Sequence, residues 1–311
     1  MKQRVITALV IAIIFVPLII FDVLAVTIAF QVITGLLVIL AVYEMFNMFS
    51  QKHDFHLGVK IITLILTLLV FFVLGKLWDF SFIRPSELKD GIAMGLLLVV
   101  ILIFSIRVFV PDFEVKKLVE VLTIVLYVGF GFGSLVILKR FGSCFLVYVF
   151  LTIIITDVFA FLFGVKFGKH KMAPNISPKK SWEGAIAGTV FGTVIGSLFA
   201  IFYGKIFPAG SLLNINNLNW TIFDHTTSFL KNGDSGYVWK NALLLIFLTI
   251  TLSVVGQIGD LVASKFKRTY EIKDFGNVFP GHGGVLDRFD SAIFGGMYLA
   301  LIILFMGLIF R

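Results

Sequence analysis

Val5–Phe49 reads VITALVIAIIFVPLIIFDVLAVTIAFQVITGLLVILAVYEMFNMF. A helix crossing a hydrocarbon core of about 30 Å needs about 20 apolar residues, so this run is too long for one span. Phe21-Asp22, just after Pro17, is where a tight hairpin divides it, into helices over about 5–21 and 24–48. Lys2 and Arg4 ahead of the run resemble the start of a signal peptide. No small-residue cleavage site follows and apolar sequence resumes at once, which predicts an uncleaved first helix. Working outward, further spans are predicted over about 59–78, 91–110, 118–138, 143–165, 182–206, 238–264 and 291–310. The expected fold class is therefore an all-α polytopic integral membrane protein of about nine transmembrane helices. The polar connection over about 208–237 reads as a surface loop, and no internal repeat or heptad pattern is present.

Composition agrees. Of the 311 residues 59% are hydrophobic and only 14% charged, against about 25% charged in soluble domains; the mean hydropathy is +1.03. A soluble globule would expose apolar patches of this extent and aggregate. The single Cys144 excludes an intrachain disulfide, and with five scattered histidines it excludes a zinc cluster. Neither a phosphate-binding G-x-x-x-x-G-K-[ST] loop nor a G-x-S-x-G nucleophile elbow occurs.

The net charge of +8 is resolved by position. With the N-terminus cytoplasmic, the cytoplasmic flanks would hold 17 of the 26 Lys and Arg, and Lys139-Arg140 alone would argue mildly the other way. The positive-inside rule then predicts a cytoplasmic N-terminus and, after nine spans, a C-terminus outside. Two regions follow: residues 1–140 with about five spans, and 141–311, whose cytoplasmic loops 166–181 and 265–290 are the richest in charge.

Several residues are not explained by membrane physics. Asp157 and Asp260 lie within or at the end of apolar runs, where a carboxylate needs water, a cation or a partner. Gln257, Asp260, Ser264 and Lys267 or Arg268 form one polar stripe at helical spacing. A solvated helix end could give the same stripe, but not the carboxylate at its inner end. Beyond it come Lys273-Asp274, Pro280-Gly281-His282-Gly283-Gly284 and Leu286-Asp287-Arg288-Phe289-Asp290. Glycines around a histidine let the backbone offer N–H groups to phosphate oxygens. Asp287 and Asp290, three apart, share a helical face and could bind one or two divalent cations. The loop before the span at 182–206 adds Lys166, Lys169, Lys171 and the run Ser177-Pro178-Lys179-Lys180-Ser181, hydroxyls and point charges suited to phosphate. Ser181 also stands where it could cap the helix that follows.

Ser264–Ser291, SKFKRTYEIKDFGNVFPGHGGVLDRFDS, resembles the signature of the phosphatidate cytidylyltransferase, or CDP-diacylglycerol synthase, family almost without a break. Asn175–Gly184, NISPKKSWEG, is a second match, in which the family often has Thr where Ser181 stands. The resemblance covers most of 157–184 and 257–291. The first five spans match only in length and hydropathy. It implies an all-helical membrane enzyme, a homodimer, that joins CTP and phosphatidic acid to give CDP-diacylglycerol and pyrophosphate with Mg²⁺ or Mn²⁺, a monovalent cation being left open. It places the enzyme in the inner (plasma) membrane with the site facing the cytoplasm, and gives it no nucleic-acid partner. Carried onto this chain, it makes Asp260 and Asp287 the metal-binding carboxylates, with Asp290 close by. Lys267 and Arg288 join these three as catalytic candidates. Ser177, Lys179, Lys180, Ser264, Arg268, Lys273, His282, Gly283 and Gly284 are expected to bind substrate.

Two alternatives remain at this level. A related CTP-using enzyme could act on another lipid phosphate or alcohol. A secondary transporter could place acids on an ion path, although transporters usually show repeats and mid-membrane helix breaks, and none is visible here. A CDP-alcohol phosphotransferase is excluded, because its Asp-Gly-x-x-Ala-Arg pattern is absent.

Overall fold

The structure is a computed structural model. It describes residues 2–75, 88–110, 113–208, 235–281 and 283–309, together with 210, 211, 213, 214, 218 and 221–223. Most of the polar connection expected over 208–237, and His282, lie outside the described residues.

Among the described residues ten helices run in the order α1 (Lys2–Ile20), α2 (Leu24–Phe49), α3 (Leu57–Gly75), α4 (Leu88–Phe109), α5 (Val115–Ile124), α6 (Gly131–Phe141), α7 (Ser143–Phe167), α8 (Trp182–Ile206), α9 (Ser235–Thr269) and α10 (Leu286–Ile309). Between α5 and α6 the chain forms a π-helical stretch, Val125–Phe130, so that 115–141 is one continuous rod. Among the described residues seven elements, namely α2, α3, this rod and α7 to α10, are long and apolar enough to cross a bilayer. In α1 and α4 the qualifying apolar stretches are shorter, Leu9–Ile20 and Gly95–Phe109. Helices are the expected response to a lipid solvent, since every backbone polar group must be satisfied within its own segment.

The fold is not wholly helical. The charged loop expected over 166–181 forms an antiparallel hairpin, β1 (Lys171–Ala173) with β2 (Ser177–Ser181), in which Lys171 faces Ser181 and Ala173 faces Ser177. Pro174 presets the turn, which closes with Ile176 N–H donating to the Ala173 carbonyl at 3.1 Å. Ser181 then caps α8, its hydroxyl accepting from the Gly184 N–H at 3.2 Å, as expected.

Side-chain ties across long sequence separations define the two ends of the bundle. At one end Lys139, buried despite its charge, donates to the carbonyls of Phe21 at 2.7 Å and Ile19 at 3.2 Å and contacts the Ser143 hydroxyl, while Asp22 accepts from the Ser143 N–H at 3.0 Å. Arg140 donates to the Gly75 carbonyl at 2.5 Å. The pair that counted against the charge rule is thus built into the packing. At the other end Lys52 donates to the Thr269 carbonyl at 2.6 Å, and Thr7 to that of Pro280 at 3.0 Å. The turns after α2 and α9 and the β hairpin share this second end, where Arg268 donates to the Ile176 carbonyl at 3.2 Å.

The second half of the chain is organised by α8. Gly184, Gly188, Gly192 and Gly196 recur every fourth residue and lie against Ala160, Thr156 and Thr152 of α7. A Cβ on Gly188 would stand 2.5 Å from the Thr156 carbonyl oxygen, so the two backbones touch only because none is there. Hydroxyls join α7 and α8 to α9, with Thr156 to Ser253 at 2.8 Å, Tyr148 to Thr249 at 2.7 Å and Ser197 to Thr249 at 3.0 Å. Gly188→Ala forces this pair apart and is expected to cost about 1–3 kcal/mol, the range for overpacking a close-fitted contact. A lower melting temperature in detergent checks it.

Candidate active site

At 35 residues, α9 is about 50 Å long at 1.5 Å per residue. It therefore extends past a hydrocarbon core of about 30 Å, carrying its last turns, from Asp260 on, toward the interface. There it meets the hairpin. Lys180 of β2 pairs with Asp260, whose other oxygen accepts weakly from the Ser264 hydroxyl at 3.4 Å. Gln257 donates to Thr189 of α8 at 2.9 Å. Between α7, the hairpin and α9 opens a cavity of about 460 Å³, lined on its polar side by Asp157, Lys171, Lys179, Lys180, Gln257 and Asp260. Its apolar wall includes Phe161, Val165 and Met172. A concave site with cations at one edge and aliphatic and aromatic side chains at the other suits an amphiphile carrying phosphate.

The turn between α9 and α10 is gathered on Asp287. Its Oδ2 accepts from the N–H groups of Phe275 at 2.8 Å and Gly284 at 2.9 Å, and its Oδ1 pairs with Lys267 at 2.7 Å. Only 3% of the Asp287 side chain and 15% of that of Lys267 is exposed, so the pair is screened little by solvent. Lys267 also lies 5.2 Å from the centre of the Phe275 ring. Gly283 adopts a φ of +87° and its carbonyl accepts from Phe279 N–H at 2.9 Å. Asp290, one turn into α10, accepts only from the N–H of Ser291, at 2.8 Å, among the described residues. Asp260, Lys267 and Asp157 all act on its charge, so the two ion pairs and Asp157 belong to one electrostatic cluster.

The structure thus brings together Asp260, Lys180, Lys179 and Ser264 at the cavity, and Asp287, Lys267 and Gly284 at the turn, with Asp290 between them electrostatically. Arg268 is used to hold the hairpin, and Ser177 stands beside it as the register partner of Ala173. Lys273 and Arg288 are exposed on the turn and at the start of α10, with no side-chain partner among the described residues.

Among the described residues no three His, Cys, Asp or Glu side chains converge closely enough to hold a metal ion. The carboxylates present are of the donor type a hard cation takes, although in this arrangement they do not close into a site. Asp157, Asp260, Asp287 and Asp290 set four carboxylates against the ammonium groups of Lys180 and Lys267 within the cluster. Oxygen donors with negative charge in excess suit Mg²⁺ or Mn²⁺ rather than zinc. Asp260 and Asp287 are each engaged by a lysine, which a cation would have to displace.

Polar residues from the first half of the chain also reach this end of the bundle. Glu44 of α2, buried, accepts from the N–H groups of Val285 at 2.8 Å and Leu286 at 3.0 Å, at the start of α10. Glu120 of α5 accepts from the Tyr270 hydroxyl at 2.7 Å. Burial and that carboxylate hold the Tyr270 phenol above its ordinary pKa, so it remains the donor. An intramembrane acid is a functional or structural signal by default, and both glutamates could have been singled out from the sequence on that ground.

The profile of the cytidylyltransferase family matches residues 2–306. The chain is 32% identical over 295 residues to the phosphatidate cytidylyltransferase of Staphylococcus aureus (strain COL), covering 94% of this chain and 95% of that one. It is 31% identical, over 295 residues and with the same shares, to the phosphatidate cytidylyltransferase of Staphylococcus haemolyticus (strain JCSC1435). With the protein of that name from Staphylococcus saprophyticus it shares 31% identity over 294 residues, again 94% and 95% of the two chains.

Proposed function

This chain belongs to the cytidylyltransferase family, and from that premise we propose that it transfers a cytidylyl group from CTP to phosphatidic acid, releasing pyrophosphate and CDP-diacylglycerol. The observation that carries the reading is the placing of the Lys180–Asp260 pair in a cavity with a cationic edge and an apolar wall, within one electrostatic cluster with the Lys267–Asp287 pair. An enzyme joining a nucleotide to a lipid phosphate needs both surfaces at one point.

In the reaction an oxygen of the lipid phosphate attacks the α-phosphorus of CTP in line. A new P–O bond forms there as the bond to the β-phosphate oxygen breaks, and pyrophosphate leaves with that electron pair. Two polyanions must be brought into contact, so positioning and charge neutralisation are the main demands. Without substrate, Lys180 and Lys267 neutralise Asp260 and Asp287. When phosphates enter, both ammonium groups can turn to them, leaving Asp260 and Asp287, with Asp290 beside them, as the residues that would hold a divalent cation. Such an ion would supply positive charge to the phosphate oxygens and to the departing pyrophosphate. Lys179, on the exposed strand, and Arg288 and Lys273, on the turn, are placed to meet the outer phosphates. The attacking phosphate is already an anion near neutral pH, so no general base is assigned.

The nine-helix count, a cytoplasmic N-terminus with the site on the cytoplasmic side of the plasma membrane, and a homodimer belong to this reading. The seven qualifying helices and the positive-inside count support its membrane part. The test is conversion of labelled CTP by purified protein in mixed micelles with a panel of lipid acceptors. CDP-diacylglycerol and pyrophosphate are expected in equal amounts, with phosphatidic acid preferred. A phosphorylated lipid alcohol with no CDP-lipid, or solute flux in proteoliposomes without CTP turnover, would overturn the reading.

A further inference from the structure

Tyr127 lies in the π-helical stretch Val125–Phe130, the one departure from α-geometry in the rod over 115–141. A π turn admits an extra residue and rotates the side chains after it, at a cost that is most often met at functional sites. Here it sends an aromatic side chain between the two helices that carry the acids. The Tyr127 ring packs 5.9 Å from that of Phe266 on α9 and 6.0 Å from that of Phe294 on α10. The residue is only 6% exposed, and its hydroxyl is buried with no hydrogen-bond partner among the described residues. The charges that act on it are those of Asp290, Asp260 and Asp287, in that order.

A buried hydroxyl without a partner costs about 1–3 kcal/mol. Phenylalanine would fill the same space between Phe266 and Phe294 without that cost, so packing alone does not account for the oxygen. Among the acids acting on it, Asp287 has both oxygens engaged and Asp260 is held by Lys180 and Ser264. Asp290 alone takes no bond beyond its neighbour's N–H among the described residues. A buried donor without an acceptor and a half-buried carboxylate with free lone pairs therefore belong to one electrostatic cluster, with the Tyr127 ring packed on the helices that carry the acids. The geometry points to Tyr127 as a positioning residue of the active site, whose hydroxyl donates to the Asp290 carboxylate in the substrate-bound enzyme and fixes the orientation in which that carboxylate faces the reacting phosphates. This inference rests on the cytidylyltransferase reading above and adds to it a residue from outside the matching motifs.

Tyr127→Phe removes one oxygen and nothing else. It is expected to lower kcat about tenfold to a hundredfold with the KM for CTP nearly unchanged, as for loss of a group that orients the reacting centre. The melting temperature in detergent should stay the same or rise, because an unpartnered polar atom is gone. Val128→Ala, which trims the adjacent and fully buried residue of the same π turn, should do the reverse, lowering the melting temperature while kcat stays within about twofold. An unchanged kcat in Tyr127→Phe overturns the inference, and so does a loss of activity that follows the melting temperature in both variants. An active wild type beside an unaffected Tyr127→Phe leaves the assigned reaction standing; a wild type that forms no CDP-diacylglycerol overturns both.

Discussion

Asp260→Asn is expected to reduce cytidylyl transfer to phosphatidic acid by about a thousandfold or more, the scale of losing a principal electrostatic group at a transition state, while thermal unfolding stays near that of the wild type. The asymmetry between activity and stability follows from how Asp260 is held. It is partly exposed at the cavity, its ion pair is with a strand lysine, and among the described residues its only other bond is the long contact with Ser264. Little of the fold depends on it. Asp287→Asn should lose activity to a similar degree but also melt earlier. Both oxygens of Asp287 accept, one from Lys267 and the other from the N–H groups of Phe275 and Gly284. Whichever way an asparagine is turned, its NH₂ meets another donor. Turnover and melting temperature, measured on the two variants side by side, separate a carboxylate used for chemistry from one used for chemistry and for tying the turn together. Near-normal activity in both would sink the assignment of the cation to these acids.

The difference between the two aspartates could not be read from spacing. What the sequence does carry is whatever depends on neighbours along the chain: apolar runs of spanning length, the polar stripe on α9, the Ser181 cap, and the motif that brings Asp287 and Asp290 onto one face of α10. The β hairpin escaped because Ser177–Ser181 is a short, polar, lysine-rich strand stabilised by its partner and by Arg268, with no apolar alternation of its own. The π stretch escaped because Val125–Phe130 is as apolar as the turns on either side and has no compositional mark. Glu44, Glu120 and Tyr127 act on partners about 140 to 240 residues further along. They lie in the first five spans, outside the two stretches whose residues carry the motif resemblance. Each is a lone polar residue in a lipid-soluble helix, and its meaning is set by which other helix it faces.

Glu44 gives that point its largest measurable consequence. The first N–H groups of a helix have no partner inside it, and at the start of α10 two of them, on Val285 and Leu286, are buried residues facing α2. A carboxylate is the strongest acceptor available there, and negative charge is favoured at a helix N-terminus. It is also closely fitted, since a Cβ on Gly276 or Gly284 would stand 2.7 or 2.4 Å from the Glu44 carboxylate oxygen. Glu44→Ala leaves two donors unsatisfied and a void behind them. It is expected to destabilise the protein by about 3–5 kcal/mol, as for other buried polar groups that lose a charged partner. Amide hydrogen exchange at Val285 and Leu286 should rise before that of the rest of α10. The loss reaches the chemistry because the same turn carries Asp287 and Asp290, and a displacement of about 1 Å at a reacting centre can cost about a hundredfold in rate. Glu44→Gln, which keeps the size and one acceptor but turns an NH₂ on the other donor, should fall between wild type and alanine in melting temperature and in exchange. If alanine left both amides as protected as in the wild type, α10 would owe its start to the Asp287 turn alone, and Glu44 would have no part in holding the site.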